Sequence, residues 1–361
     1  MIVQSEEVKM PKCGKPNIRQ VAAHAGVSPA TVSRVLNGNA AVDAALAQRV
    51  FASARTLGYP ISKTVEGKKN IVLILPGISN TYYSHTATGI IDVANRAGYR
   101  VNILLSNSDP NQETECLINA CNSDTAGIII APVTNRDPRA ASPTLSHIPI
   151  VVTGPRYIAD GLIHVHLDNE EAAYLSTRYL LRLGRKRIAF IIYYYYWADH
   201  IRNYEDFIKE YETSNHGCFT AYDRYTGYCR ALKEAGLEPD PSLLIFGGFS
   251  YDSGYYCVKQ LLVSGVAFDA IIVPNDRCGA GVLNFLQEQG FKVPGQVSLV
   301  CLDSDLIAKV VSPKLTSISS VDYTIGQHCA QQLIHLINGE PAHDVEIDAK
   351  LLIENSTHFV S

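Results

Sequence analysis

The sequence predicts an α/β protein in two parts, a small all-helical head followed by a body of two doubly wound parallel sheets. Three observations carry that prediction. Residues 17–58 hold three short apolar stripes at helical spacing, and from Ile71 onward β-branched runs alternate with helical stretches. The 361 residues also exceed a single domain of ~100–200 residues.

Charge divides where the patterning does. Residues 1–70 carry ten Lys and Arg against four Asp and Glu, a surplus of +6, and the remainder carries −10, so the net charge of −4 conceals a basic head on an acidic body. Such an asymmetry suits a polyanion-binding module joined to a second function, although a merely solvated N-terminus has the same charge. Apolar residues at 47% and charged residues at 18% are globular values. No apolar run reaches the roughly 18–20 residues of a membrane span. The opening MIVQSEEVKMPKCGKP has no positive-then-apolar leader, which argues against export. Nine scattered cysteines without a C-x-x-C pair read as thiols of a reducing cytoplasm, against a disulfide framework or a zinc site.

In the head, Ile18, Val21, Ala22 and Ala25 form one apolar stripe behind Asn17 as N-cap, and Gly26 breaks the helix. Ser28-Pro29 is an N-cap followed by proline at the first helical position, where its missing N–H is harmless. That second helix ends near Leu36, before Asn37-Gly38. Asp43 caps a third, striped by Leu46, Val50, Ala54 and Leu57 and closed by Gly58. Two short helices across a glycine turn, braced by a third, describe a helix-turn-helix, whose second helix enters the major groove. Its outward face offers Pro29, Ala30, Thr31, Ser33, Arg34 and Asn37. Hydroxyls and amides suit phosphates, Arg34 can fork onto a guanine edge, and Pro29 and Ala30 give apolar contact. Asn17, Ser28 and Lys63 complete the candidate DNA-binding set.

The string Asn17-Ile-Arg-Gln-Val-Ala-Ala-His-Ala-Gly-Val-Ser-Pro-Ala-Thr-Val-Ser-Arg-Val-Leu-Asn-Gly, with Arg49-Val and Leu57-Gly-Tyr59, resembles the N-terminal headpiece of the LacI/GalR repressor family. The resemblance implies a hinge helix after the head, whose leucine wedges into the minor groove. Here Tyr59-Pro-Ile-Ser-Lys-Thr-Val-Glu-Gly-Lys-Lys-Asn70 is shorter and has neither Ala nor Leu. It is read as a linker with Lys63, Lys68 and Lys69 on phosphates, Val65 being the alternative wedge.

Strands are predicted at Ile71–Leu75, Arg100–Leu105, Gly127–Ala131, Ile150–Thr153, near His164–His166, at Arg187–Ile192, Leu243–Phe246, Ala270–Val273 and Ser298–Leu302. Helices are predicted at Tyr82–Ala97, Glu170–Leu183, Tyr251–Val263 and Arg277–Gln289. Continuous apolar strands between helices imply parallel sheets covered on both faces. The chain then divides into a tail (1–16), the headpiece (17–59), a hinge or linker (60–70) and the body (71–361). Within the body the first subdomain is expected at about 71–166 and 299–320, the second at about 167–298 and 321–361.

Sheets of this kind bind ligands beyond the carboxyl ends of their strands. The segments found there, Pro76–Tyr83, Leu167-Asp-Asn169, Gly247–Gly254, Val273-Pro-Asn-Asp276 and Val300-Cys-Leu-Asp303, resemble the effector domain of the same family, itself similar to periplasmic sugar-binding proteins. The resemblance implies that Tyr82, Tyr83 and Phe249 flank a sugar and that Asn275 and Asp303 hold its hydroxyls, with Asn80, Arg156, Asp168, Tyr193, Tyr222, Arg224 and Asp276 as further candidates. Asp168 serves equally as an N-cap, and Tyr82 as a core residue. The family's arginine before Gly227 is replaced by Tyr222, and its Asp-Arg pair by Pro155-Arg156, so the ligand departs from a simple hexose. Tyr193–Trp197 and the insertion that follows line the cleft or form a dimer or lid surface; both readings stand.

No catalytic or nucleotide-binding motif is complete, and His164 and His166 have no partners at metal-ligand spacing. Enzyme activity and a cofactor are therefore not expected. The expected function is that of a cytoplasmic homodimeric or tetrameric repressor of a carbohydrate or related catabolic operon. It would hold near-palindromic DNA under the control of a sugar-like effector, with no membrane partner. The alternatives are a ligand sensor with vestigial DNA binding and an enzyme on a binding-protein scaffold.

Overall fold

The computed structural model describes residues 17–36, 44–57, 59, 70–134, 136–156, 158–193, 203–213 and 220–359. The tail at 1–16, Asn37, the linker from Pro60 to Lys69 with Lys63, and Tyr194–Trp197 lie outside these residues, as does the side chain of Arg34. The chain separates into two compact units, Met1–Lys69 and Asn70–Ser361.

The head consists of α1 (Ile18–Ala25), α2 (Pro29–Leu36) and α3 (Ala44–Thr56). Asn17 opens α1 with a capping box, and Gly26 closes it at φ 65°, a left-handed cap that glycine adopts without strain. Val21, Ala22 and Ala25 of α1 meet Val32 and Val35 of α2 and Val50 and Ala54 of α3 in one buried core. His24 Nδ1 lies 3.0 Å from Ser53 Oγ and ties α1 to α3.

The body begins β1 (Asn70–Leu75), α4 (Thr81–Arg96), β2 (Arg100–Leu105), α5 (Pro110–Ala120), β3 (Thr125–Ile130), β4 (Ile150–Thr153) and β5 (Ile163–Leu167). It continues through α6 (Asn169–Arg182), β6 (Ile188–Tyr193), α7 (Tyr204–Thr213), α8 (Thr220–Glu234), β7 (Leu244–Gly247), α9 (Tyr251–Val263), β8 (Ala270–Val273), α10 (Asp276–Glu288) and β9 (Ser298–Cys301). The last elements are α11 (Leu306–Val310), β10 (Thr316–Ile318), α12 (Asp322–Asn338), β11 (Val345–Ile347) and β12 (Leu351–Leu352). One sheet has the order β11-β5-β4-β3-β1-β2 and the other β12-β10-β9-β8-β6-β7. Every pairing is parallel except that of β10 with β12. Strands β3 and β8 are buried along their whole length, which is why they read as unbroken apolar runs.

The subdomain boundaries differ from the expectation in one respect. Strands β9 and β10 belong to the second sheet, although 299–320 was assigned to the first subdomain. Helix α12 and strand β11, assigned to the second, belong to the first: β11 pairs with β5, and a Cβ on Gly326 would stand 2.0 Å from the Thr86 backbone oxygen of α4. The chain crosses between subdomains three times, near Asp168, at Ser319–Val321 and at Asp348–Lys350. Among the described residues no helix is long and apolar enough to cross a membrane.

Candidate functional site

Two regions collect the candidate residues. In the head, the buried stripe of α2 turns Pro29 and Ala30 outward, with Ser33 half-buried beside them. Asn17 is exposed, and its Oδ1 accepts from the backbone N–H groups of Arg19 and Gln20 at 3.1 Å. Ser28 caps α2: its Oγ accepts from Thr31 N–H at 3.1 Å and lies 2.8 Å from Thr31 Oγ1. These two hydroxyls therefore stiffen the start of α2. The face itself offers exposed apolar and small polar groups, as groove insertion requires.

In the body, a cleft of about 1040 Å³, counting space open to solvent, lies between the subdomains at the carboxyl ends of their strands. The first subdomain contributes the loop after β1, where Asn80 caps α4 by accepting from Tyr82 N–H at 3.2 Å. That cap places Tyr82 and Tyr83 on the first turn, their rings edge-to-face at 5.1 Å. Tyr82 Oη lies 3.5 Å from Thr153 Oγ1, and burial pushes its phenol far up. After β3, the buried carboxylate of Glu113 accepts from Val133 N–H and from Thr134 Oγ1 at 3.0 Å, so the cleft-lining Thr134 is held in place from behind.

The second subdomain supplies Tyr193, at the end of β6, tilted by 30° against Phe249 with centroids 3.8 Å apart. One turn into α8, Arg224 donates from Nε to Asn169 Oδ1 at 3.0 Å and from a terminal nitrogen to Pro274 O at 3.3 Å. Asp303, just beyond β9, accepts from Ser304 N–H at 2.8 Å. Burial and the neighbouring charge of Asp322 push its carboxyl well above the usual range. Asp322, first residue of α12, is pushed up to about 6 by burial although it accepts from Ser320 Oγ at 2.9 Å.

Of the residues singled out in the sequence, Asn80, Tyr82, Tyr83, Tyr193, Arg224, Phe249 and Asp303 meet in this cleft. Five do not line it. Tyr222 is fully buried, packed on Phe207 and Tyr211 at 5.4 and 5.7 Å. Helical phase decides this: α8 turns Thr220, Ala221 and Arg224 to the cleft and Tyr222 and Tyr225 to the core behind it. Asp168 caps α6, accepting from Glu171 N–H at 2.9 Å. Asn275 caps α10, accepting from Cys278 N–H at 2.9 Å, and lines an adjoining crevice. Asp276, beside it, accepts from Asp305 and Ala308 N–H and pins α11. Arg156 sits on the rim, 3.3 Å from Asp223 and 3.9 Å from Glu170 of the second subdomain.

Asp322, Thr134 and Thr153 line the cleft and were not singled out as ligand groups; Asn169, noted in the strand-end segment beside Asp168, lines it as well. Thr134 and Thr153 stand beyond or at the carboxyl ends of β3 and β4, so the strand-end rule that found Asp303 reaches them too. Asp322 follows the three-residue β10, which leaves no periodicity to detect. Among the described residues no group of three or more His, Cys, Asp or Glu is arranged to hold a metal.

A model of bacterial regulatory proteins of the lacI family matches residues 17–60. A second, of periplasmic binding proteins and the sugar binding domain of the LacI family, matches residues 68–355. Catabolite control protein A of Priestia megaterium is 32% identical over 330 residues, 90% of this chain and 93% of that protein. The lac repressor dimer bound to operator and the anti-inducer ONPF aligns with a TM-score of 0.70 at 21% identity, over 95% of this chain and 99% of that one. A complex of the transcriptional regulator CelR with cellobiose aligns at 0.67 and 24% identity, over 94% and 99%. At these identities the two structures establish likeness of fold.

Proposed function

The chain belongs to the LacI family of bacterial regulatory proteins, and from that premise we propose that it represses a carbohydrate or related catabolic operon under the control of a sugar-like effector. Membership makes it a DNA-binding transcription regulator. It acts in the cytoplasm as a homodimer without catalysis, each head taking one half of a near-palindromic operator, two-fold protein on two-fold DNA.

The observation that carries the effector reading is the cleft. Rings from both subdomains line it, Tyr82 and Tyr83 from the first and Tyr193 and Phe249 from the second, together with the carboxyl groups of Asp303 and Asp322 and the guanidinium of Arg224. Flat apolar faces cover the C–H patches of a sugar while planar polar groups orient its hydroxyls. A ligand touching both subdomains favours one relative arrangement of them. A differential affinity of ~1–3 kcal/mol suffices to change DNA affinity severalfold or more.

The DNA half of the reading is tested by binding of full-length protein to a labelled near-palindromic site. Arg34→Ala is expected to lower affinity by about 1–3 kcal/mol and to relax base preference at one position per half-site. Unchanged affinity and an unchanged salt slope would contradict a role for α2 in base recognition.

A further inference from the structure

The polar groups of the cleft are lopsided. Asp303 and Asp322 both line it, and among the described residues neither has a lysine or arginine nitrogen within 4.0 Å; the nearest basic atom to Asp322 is His85 Nδ1 at 3.9 Å. Arg224, the one guanidinium among the residues lining the cleft, is bonded to Asn169 and Pro274, and its charge draws Asp303 down only in part, one cation against two carboxyl groups. Thr134 gives its single hydroxyl proton to Glu113, so it presents acceptor lone pairs to a ligand. Around these acceptors stand four rings, Tyr82 edge-on to Tyr83 and Tyr193 on Phe249.

Two carboxylates sharing a confined site cannot both ionise without a compensating positive charge. Electron-rich ring faces attract a cation further, the more so when it is desolvated. An anion entering the same space would meet two acidic groups and a single guanidinium whose charge Asp303 already partly offsets. We propose that the cleft is built for a cationic polyol, a sugar or sugar-like molecule bearing a protonated amine, whose ammonium Asp303 and Asp322 hold together. The inference rests on the sugar-effector reading and narrows it by charge. It has a thermodynamic consequence. In the empty cleft burial and the charge of Asp322 push Asp303 up against the pull of Arg224, so the pair holds a proton more readily than free carboxyl groups do. An arriving ammonium favours the doubly ionised pair, so binding releases that proton. Affinity for the amine therefore climbs as pH rises through the range of the pair, until the ligand's own amine deprotonates.

Titration calorimetry on the full-length protein tests this with matched sets built on glucose and on galactose: the 2-amino sugar, the parent hexose and its 6-phosphate. In at least one set the amino sugar is expected to bind at least about tenfold more tightly than the parent at pH 7, with no binding of either phosphate. The measured heat should change with the ionisation enthalpy of the buffer. Asp322→Asn should shrink the amine's advantage to about twofold and abolish the buffer dependence, whereas Thr134→Val should weaken amine and parent together. A parent that binds as tightly as its amine, or any phosphate that binds, overturns the proposal and leaves the sugar-effector reading standing. If no hexose of any charge binds a protein that still holds DNA, both fall.

Discussion

Two arginines cross the cleft in opposite directions, and they hold it in different ways. Arg156 leaves the first subdomain after β4 and meets the carboxylates of Asp223 and Glu170 on α8 and α6. Glu170 is itself paired with Arg230, whose guanidinium lies 3.9 Å from the Tyr174 ring centre. Arg277 leaves α10 of the second subdomain and donates to one neutral acceptor, the backbone carbonyl of Ser79, at 3.1 Å. One rim is thus a charge network backed by a helix pair, and the other a single bond to a loop. Asp223 sharpens the contrast. It is buried, and burial raises its carboxyl to about 6 even though Arg156 pulls it down. The hold of the Arg156 rim therefore depends on pH near neutrality, and that of the Arg277 rim does not.

The most severe way to break the comparison is to remove the helix pair behind the charged rim. Gly227 lets α8 lie directly on α6, since a Cβ there would stand 2.0 Å from the Glu170 backbone oxygen, which cannot move aside as a side chain would. Gly227→Ala is expected to destabilise the body by about 3 kcal/mol, lowering its melting temperature by several degrees. An unchanged melting curve would mean that the helices are not locked together.

Cutting the charged rim alone is milder. Arg156→Ala should shift the open-to-closed ratio of the subdomains roughly fivefold, about 1 kcal/mol after solvent screening. Distances between spin labels on the two subdomains would report the shift. Without its partner, Asp223 should titrate above 6. In the unaltered protein, acidification through about pH 6 should open this rim, and Asp223→Asn should remove that pH dependence. The sign for stability is the reverse of that for the bridge. A carboxyl held above its unfolded value favours folding at low pH and loses that contribution as pH rises through about 6. Opening on the acid side should therefore appear without a fall in melting temperature from this group. The smallest effect belongs to the other rim: Arg277→Ala should change the ratio by about 0.5 kcal/mol, equally at pH 5 and pH 8. A pH-dependent response there would erase the distinction between the rims.

What the sequence revealed, and what it hid, follows from element length and from phase. Strands such as β1, β3 and β8 were legible because burial on both faces demands unbroken β-branched runs. Strands β10, β11 and β12 span three, three and two residues, too short to carry a pattern. They flank two of the three crossings, so the subdomain ownership of β9, β10, α12 and β11 was assigned the wrong way round. In the cleft, Asp303 was found because it follows the unbroken apolar run of β9, Thr134 and Thr153 lay within reach of the same rule, and Asp322 follows the short β10. Tyr222 was placed by its position in a resemblance, but side-chain direction on a helix is set by phase. The inserted α7 supplies Phe207 and Tyr211, the aromatic surroundings that Tyr222 fills. Asp168 and Asn275 illustrate a general ambiguity. A polar residue at a strand end is also the residue best placed to cap the next helix, and here both cap.

On this reading a small molecule in the cleft sets the grip of the heads on DNA. The most direct measurement of that control is operator affinity of wild-type and Asp303→Ala proteins, with and without the sugar that most alters the wild type. The predicted result is equal affinity for DNA in the absence of sugar, with the sugar-dependent change of ~5–150-fold present in the wild type and lost in the variant. An identical sugar response in both proteins would contradict it.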